Sequence, residues 1–208
     1  MISKDRPLPS SKYDPQARDW SERAYADAWT YLSHRAELVL GLGPRLEPGD
    51  SVLDLACGDG GLADFLDDIV YTGVDASDAM VEEGRAHGRN VELGDLNDYE
   101  PPEPVAATTC FRAIYYARDR RAFFERVAGY TERKLVFDLN PRQYRLDDVR
   151  TELRDAGWPR LHVRPFFAPQ TRSLPRPLAL ALHAAEQSGP LARLLLRFRF
   201  TYVCAAAR

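Results

Sequence analysis

The chain has 208 residues, 45% of them hydrophobic, which is enough for one domain with a substantial core. A formal net charge of −3 argues against a protein that binds polyanions over its whole surface. The sequence predicts no membrane span, no signal peptide and, from three widely spaced cysteines, neither a disulfide framework nor a CxxC metal site, so we expect a cytoplasmic enzyme.

Positive charge is concentrated at the end of the chain. The last 50 residues hold eight arginines and one acid, Glu186, for a formal charge of +7, whereas the rest carries −10. This asymmetry predicts a contact with phosphate, an acidic substrate or a membrane surface, or else a solvated arginine-rich face.

In chain order, residues 1–12 predict a loose arm, and Asp19–Leu42 predicts one helix rich in aromatic residues. Short apolar runs then alternate with helical patterns. The predicted strands are Ser51–Ala56, Val70–Asp75, Asn90–Gly94, Ala106–Phe111, Lys134–Leu139, Leu161–Phe167 and Phe198–Ala205. The predicted helices between them are Gly61–Asp67, Asp78–Ala86, Arg120–Gly129 and Leu146–Ala156. Strands separated by helical lengths predict an α/β, doubly wound sheet, in which ligands bind beyond the carboxyl ends of the strands.

The last two strands are separated by an apolar, proline-rich stretch. Pro177–Gln187 predicts a helix that stops at Gly189, and Pro190 predicts the start of a second, short helix. The first helix is apolar nearly all round, so we expect it to be buried against the sheet. A wall of a substrate pocket, a dimer contact and a lipid-facing element are the alternatives.

The first strand runs into a glycine turn, in the stretch VLDLACGDGG from Val52 to Gly61. Gly58 and Gly60 permit a tight turn and close approach of a ligand to the backbone. The carboxylates of Asp54 and Asp59 would repel a diphosphate and attract a ligand that carries an ammonium and a sulfonium. The spacing is also G-x-G-G, not the G-x-G-x-x-G of dinucleotide sites.

The next two predicted strands end on acids as well. Asp75 could accept hydrogen bonds from both ribose hydroxyls of an adenosine, with Met80 offering an apolar face to the purine or packing in the core. Asp95 could accept the adenine amino group while the Leu96 amide binds a ring nitrogen, or it could only form a turn.

The motifs LDLACGDG, GVDASDAM and GDLND resemble those of class I S-adenosylmethionine-dependent methyltransferases, particularly the small-molecule branch, over roughly Leu46 to Gly157. The resemblance implies a Rossmann-like seven-stranded sheet, mostly parallel with an antiparallel last strand. It implies the cofactor S-adenosylmethionine and the product S-adenosylhomocysteine. Residues 1–45 would form an arm and helical lid, and 46–208 the methyltransferase domain, with a helical insertion at about 168–197.

The same resemblance implies a cofactor site. Asp54 and the backbone from Ala56 to Gly60 would hold the methionine part, and Asp75 the ribose. The implied cofactor-binding residues are Tyr13, Tyr25, Asp54, Ala56, Gly58, Gly60, Asp75, Ala76, Met80, Asp95, Leu96 and Phe111.

The acceptor side is less defined. The fourth strand runs into Phe111-Arg-Ala-Ile, not the N/D-P-P-Y/F motif, which argues against a nucleobase or amide acceptor. The candidate catalytic residues are Tyr115, Arg142 and His183. Arg142 could pair with an acceptor carboxylate or phosphate, or with a nearby aspartate, and a lone histidine in an apolar helix is more often structural. The four histidines are scattered and predict no metal site.

We therefore expect methyl transfer to an oxygen or nitrogen of an acidic or amphiphilic small molecule, as an O-methylation in secondary-metabolite, sugar or lipid biosynthesis. The protein would be a monomer or homodimer without a nucleic-acid partner. The alternatives are a nicotinamide-dependent oxidoreductase, a non-catalytic partner protein of the same fold, and a nucleic-acid modifier that binds through its basic tail.

Overall fold

One mixed sheet organises the chain. The computed structural model describes residues 14–196 and 201–208. Within them lie the strands β1 Ser51–Leu55, β2 Val70–Asp75, β3 Val91–Leu93, β4 Val105–Cys110, β5 Thr131–Leu139, β6 Arg160–Phe166 and β7 Thr201–Ala207. Their order is β3-β2-β1-β4-β5-β7-β6. Strands β1 to β5 pair in parallel and β7 runs antiparallel to β5 and β6, which confirms the predicted fold class.

Of the seven α-helices in the described residues, two precede β1 and five lie between strands. They are α1 Trp20–Ala24, α2 Ala28–Gly41, α3 Asp78–Ala86, α4 Arg120–Tyr130, α5 Leu146–Asp155, α6 Arg176–Gln187 and α7 Gly189–Leu195. Short 3-10 helices cover Asp14–Gln16, Gly61–Phe65 and Ile114–Tyr116. The helix predicted after the first strand, Gly61–Asp67, is therefore a 3-10 helix that ends two residues early.

Several predicted boundaries differ from those in the structure. Asp19–Leu42 is not one helix, because Asp27 begins a new one by accepting a hydrogen bond from the Thr30 amide at 3.0 Å. The last strand, predicted as Phe198–Ala205, spans Thr201–Ala207, and residues 197–200 lie outside the described part of the chain.

The core occupies both faces of the sheet. One face packs against α4 and α5, with Phe123, Phe124, Val149, Leu153 and Trp158 buried there. The other packs against α2 through Tyr31, Leu32, Ala36 and Val39. Because β4 and β5 are buried on both sides, the carboxyl ends of the central strands are left as the accessible edge.

The first helix of the late insertion is less buried than predicted. Helix α6 is not buried against the sheet: Leu178 and Leu180 are 47% and 69% exposed, and Glu186 is its buried residue. The reason is that only one side of the helix meets the body of the protein, where Leu182 lines a cavity and Glu186 contacts α2. No helix in the described ranges combines the length and apolarity needed to cross a bilayer.

Lys134 of β5 links the end of α2 to the sheet through hydrogen bonds. Its ammonium is buried and donates to the carbonyls of Leu40 and Leu42 at 3.2 and 3.0 Å, where the carbonyls of the last helical turn would otherwise lack partners. Burial disfavours the charged form and lowers the pKa of Lys134 to about 8.

This pKa predicts a pH-dependent stability. Between about pH 8 and 10 the unfolded chain keeps the Lys134 proton while the folded chain has released it, so the free energy of unfolding should rise with pH. We expect the gain to be on the order of 2 kcal/mol relative to Lys134→Met, measured by urea denaturation across that range. If the free energy of unfolding changed with pH in the same way in both proteins, the lowered pKa of Lys134 would be contradicted.

Candidate functional site

Asp54 lies near the carboxyl end of β1, buried between two neighbouring strands. Its Oδ1 accepts the Thr109 hydroxyl of β4 at 2.6 Å and its Oδ2 accepts the Tyr71 hydroxyl of β2 at 2.9 Å. Both donors favour the carboxylate, but burial is the larger effect and raises the pKa of Asp54 to about 6. The site thus holds a buried acid that a cationic ligand would keep ionised.

The turn after β1 is bound to the end of β2. The Gly58 amide donates to Asp75 Oδ2 at 2.8 Å, and the Ser77 amide donates to Oδ1 at 3.0 Å. Burial raises the pKa of Asp75. Ala56, Gly58 and Gly60 have φ of +57°, +63° and +71°, so the turn curls back over the strand ends and requires glycine at two of these positions.

Asp59 has a different role from the one we expected. It is buried, its Oδ2 lies 2.9 Å from the Arg89 guanidinium, and it accepts hydrogen bonds from the Ser21 amide and hydroxyl. Its charge is therefore neutralised inside the protein and does not act on a ligand. Asp54, not Asp59, is the acid of this turn that can attract a cation.

Helix α1 covers the glycine turn. A Cβ on Gly58 would stand 2.7 Å from Trp20 Nε1, so the indole packs directly on the glycine backbone. The segment is also held at its start, where the Asp19 amide donates to Glu83 Oε1 at 2.8 Å and the Ser77 hydroxyl donates to Asp14 at 2.6 Å. The N-terminal segment and the turn thus form one packed unit.

The adenine-side candidates lie at the ends of β2 and β3. Asp95 Oδ1 accepts the Asn97 amide at 2.8 Å, and its Oδ2 is 3.3 Å from the Arg118 guanidinium, so the carboxylate also organises its own turn. Met80 and Leu96 are buried, and Ala76 is exposed.

The remaining cofactor candidates lie on the β4 side. Phe111 is buried directly after β4, with the Arg35 guanidinium 4.3 Å from its ring centre. Tyr25 stacks on Tyr31 at a centroid distance of 4.3 Å, in the link between α1 and α2. Tyr13 lies outside the described residues.

Two cavities open beside these strand ends. A smaller one of about 420 Å³ is bounded by α1, Arg112 and Gln170. A larger one of about 720 Å³ shares Arg112 and Gln170 and extends under the late insertion. Its walls include Tyr31, Ile114, Tyr115, Asp138, Asn140, Gln143, Tyr144, Phe166, Leu174, Leu182 and Leu195. These walls are largely apolar, with a few polar groups near the ends of β4 and β5.

The structure separates the three candidate catalytic residues. Tyr115 lines the larger cavity and packs against Tyr116 at a centroid distance of 4.3 Å. Arg142 is exposed on the turn after β5, and the described cavity walls do not include it. His183 contacts His34 and Glu37, away from those walls.

Sequence reasoning missed the group that organises the cavity. Arg35 of α2 is buried and donates to Asp138 Oδ2 of β5 at 2.8 Å. Asp138 also accepts the Arg112 amide at 2.6 Å, which holds Arg112 at a φ of +55°. An arginine within an amphipathic helix carries no local signal of burial, so no motif could have found it.

The packing of Trp20 on Gly58 predicts that Gly58→Ala costs more stability than a glycine substitution in open space. Alanine at φ +63° costs about 1 kcal/mol from the backbone alone, and displacing the indole should add about 1 kcal/mol or more. Gly88→Ala is the matched control, since Gly88 has φ +76° and a Cβ added there would meet no atom within 4 Å. Chemical denaturation gives both losses, and trypsin cleavage after Arg23 should accelerate only in Gly58→Ala. Equal losses and equal cleavage would contradict the contact.

Comparison with known proteins gives one family match and several similar folds. Residues 52–133 match the family model of a methyltransferase domain. A search of curated protein sequences found no significant match. Among solved structures, the chain is similar to one in the complex of the Haloferax volcanii Trm112 methyltransferase activator with a methyltransferase, at 22% identity and a TM-score of 0.65, covering 96% of this chain and 97% of that one.

Two further structures contain the cofactor or its product. The plantazolicin methyltransferase BpumL with S-adenosylhomocysteine is 12% identical, with a TM-score of 0.61, and the match covers 96% of this chain and 90% of that one. The magnesium protoporphyrin IX methyltransferase of Synechocystis PCC 6803 with S-adenosylmethionine is 17% identical, with a TM-score of 0.55 and coverage of 98% and 86%. At these identities the structures show the fold alone. Residues 52–133 therefore match a methyltransferase domain, and the chain as a whole has the fold of these methyltransferases.

Proposed function

We propose that the enzyme methylates a hydroxyl oxygen of a small, largely apolar acceptor that carries an anionic group. The observation that supports this best is the cavity of about 720 Å³, whose walls are mostly aromatic and aliphatic and also include Arg112 and Tyr115. An amine acceptor is the second candidate chemistry within the same proposal.

The strand ends suit the methyl donor. A sulfonium and an ammonium favour carboxylates, and Asp54 and Asp75 supply them at the ends of neighbouring strands. Within residues 52–61 there is no lysine or arginine to bind a diphosphate. Gly58 lets Trp20 pack against this turn, since a Cβ there would stand 2.7 Å from the indole nitrogen.

The acceptor proposal depends on Arg112. Its side chain borders both cavities and forms no ion pair with the acids of the described chain, since the neighbouring Asp138 is already paired with Arg35. A planar guanidinium beside an apolar pocket is suited to a carboxylate or phosphate at one end of a hydrophobic molecule. The leucines of α6 and α7 would cover the apolar remainder.

Bound S-adenosylmethionine supplies an electrophilic methyl group. The protein's part is to align the acceptor oxygen with that group and to exclude water, an effect worth up to ~7–11 kcal/mol. The Tyr115 hydroxyl is the cavity group we assign to hydrogen-bond the reacting hydroxyl and orient its lone pair. Asn140 and Gln143 offer further polar contacts on the β5 side of the cavity.

Cofactor affinity should depend on pH through Asp54. A cationic ligand binds the carboxylate, so affinity is complete above a pKa of about 6 and falls toward tenfold per pH unit below it. Calorimetric titration with S-adenosylmethionine, which carries the sulfonium that its product lacks, measures this between pH 5 and 8. Asp54→Asn should bind at least tenfold more weakly at pH 7.5 and lose this pH dependence. Asp78→Asn, an exposed acid of the next helix, is the control and should keep both. Unchanged binding by Asp54→Asn would contradict the assignment of Asp54 to the cofactor site.

Arg112 should discriminate between charged and neutral acceptors. Losing one charge-assisted hydrogen bond costs about 1.5–3 kcal/mol, so Arg112→Gln should lower kcat/KM by roughly 10- to 150-fold for hydroxylated aromatic or long-chain carboxylates. The corresponding methyl esters should be affected less than about threefold. Arg145→Gln, an exposed arginine at the start of α5, serves as the control. An equal loss for acids and esters would contradict anion recognition.

A further inference from the structure

Two histidines and a glutamate converge between α2 and α6, away from the cofactor strand ends. His34 Nε2 lies 2.6 Å from Glu186 Oε2 and 3.0 Å from His183 Nδ1. His34 and Glu186 are buried, and His183 is partly exposed. These three donor atoms all lie within 4.8 Å of one another, so a single ion could contact all of them.

Glu186 leaves a buried oxygen unsatisfied. Its Oε1 accepts the Phe167 amide at 2.5 Å, but Oε2 receives no aligned hydrogen bond from any described group, despite its closeness to the imidazole of His34. A buried carboxylate oxygen without a donor is costly. A cation between the three residues would satisfy it.

A fourth residue supports the histidine geometry. Glu37 Oε2 lies 3.2 Å from His183 Nε2, the ring nitrogen that does not face His34. Glu37 favours the tautomer that presents the lone pair of Nδ1 to the cluster, as outer carboxylates do for metal-binding histidines, whereas the Gln187 side-chain amide, 2.8 Å from the same Nε2, favours the other. The backbone contact of Glu186 Oε1 orients the carboxylate in the same way.

We propose that His34, His183 and Glu186 bind one zinc ion that fastens α6 to α2. Two imidazole nitrogens and one carboxylate oxygen form a ligand set typical of Zn²⁺, with a fourth position for water, whereas Mg²⁺ and Ca²⁺ prefer oxygen ligands. Tetrahedral bonds of about 2.0–2.1 Å place two ligand atoms about 3.3 Å apart, so side-chain rotations must separate the His34–Glu186 pair by about 0.7 Å and the two histidine nitrogens by about 0.3 Å. The site would be structural, since its ligands lie behind the acceptor cavity.

A zinc ion at this site would also affect the larger cavity, because the residues around the site belong to the cavity wall. The Phe167 amide bound to Glu186 belongs to the cavity wall, and Leu182, one turn from Glu186 on α6, lines the same cavity. The His34 ring packs on Phe166 of that wall at a centroid distance of 4.9 Å. Zinc would thus hold the cover formed by α6 at a fixed distance from α2.

The test uses the full chain, stripped with a chelator and titrated with Zn²⁺ by calorimetry. We expect one site per chain, a rise in Tm with Zn²⁺ and none with the same concentration of Mg²⁺. Co²⁺ should give visible d–d absorption without a thiolate charge-transfer band, which excludes a cysteine ligand. An absence of Zn²⁺ binding by the folded protein, or an equal response to Mg²⁺, would overturn the proposal.

Variants identify the ligands. Glu186→Gln and His183→Gln should each weaken Zn²⁺ binding at least tenfold, and Glu37→Gln by a smaller factor. His162→Gln changes an exposed histidine of β6 and should bind as the wild type does. Circular dichroism checks that each variant is folded; His183→Gln, at a partly exposed position, serves if Glu186→Gln does not fold. Binding that survives in the folded variants would show that the ion lies elsewhere and would overturn the assignment.

Discussion

The buried ion pair between Arg35 and Asp138 holds the two halves of the active region together. Arg35 comes from α2 on one face of the sheet and Asp138 from the end of β5, and neither charge would be tolerated there alone. Around the guanidinium lie the rings of Tyr31, Phe111 and Phe166, at 4.6, 4.3 and 5.7 Å from its carbon. Loss of either partner would leave an uncompensated charge in the wall between the strand ends and the larger cavity.

The same pair explains the strained end of β4. Asp138 accepts the Arg112 amide, and this bond holds a non-glycine residue at a positive φ. The backbone then directs the chain away from the sheet, so that Ile114 and Tyr115 reach the cavity. One carboxylate therefore both neutralises the arginine of α2 and shapes the loop that faces the larger cavity.

The strands and helices could be predicted because each depends on a pattern among neighbouring residues. Apolar runs alternate with helical patterns along the chain, and acids follow the predicted strands. Asp54 and Asp75 could be assigned to neighbouring strand ends from spacing alone, and the structure places them there. The role of Asp59 could not be predicted, because its partners Ser21 and Arg89 lie 38 and 30 residues away in the sequence and its burial depends on the whole fold. Helix α6 was misjudged for a related reason. Composition shows that a helix is apolar, but not which side of it the rest of the protein covers.

The acceptor side was the least predictable part. Tyr115, Asn140, Phe166 and Leu182 come from four separate stretches of chain, and nothing in their spacing indicates that they meet. The convergence of His34 and His183, 149 residues apart, is equally invisible to motif searches, which require ligands at short intervals. Such groups are defined by tertiary structure, so only coordinates reveal them.

The packing of the Trp20 indole on Gly58 bears on the rate at which a ligand could enter and leave this turn. The same glycine backbone that would face the methionine part of the cofactor is covered by α1, which is also bound to the turn through Ser21 and Asp59. In the proposed site, donor entry and product exit would require this helix to lift, because Trp20 fills the space beside Gly58. The frequency of that opening would then set an upper limit on turnover, and the closed state would shield the reactive sulfonium from water.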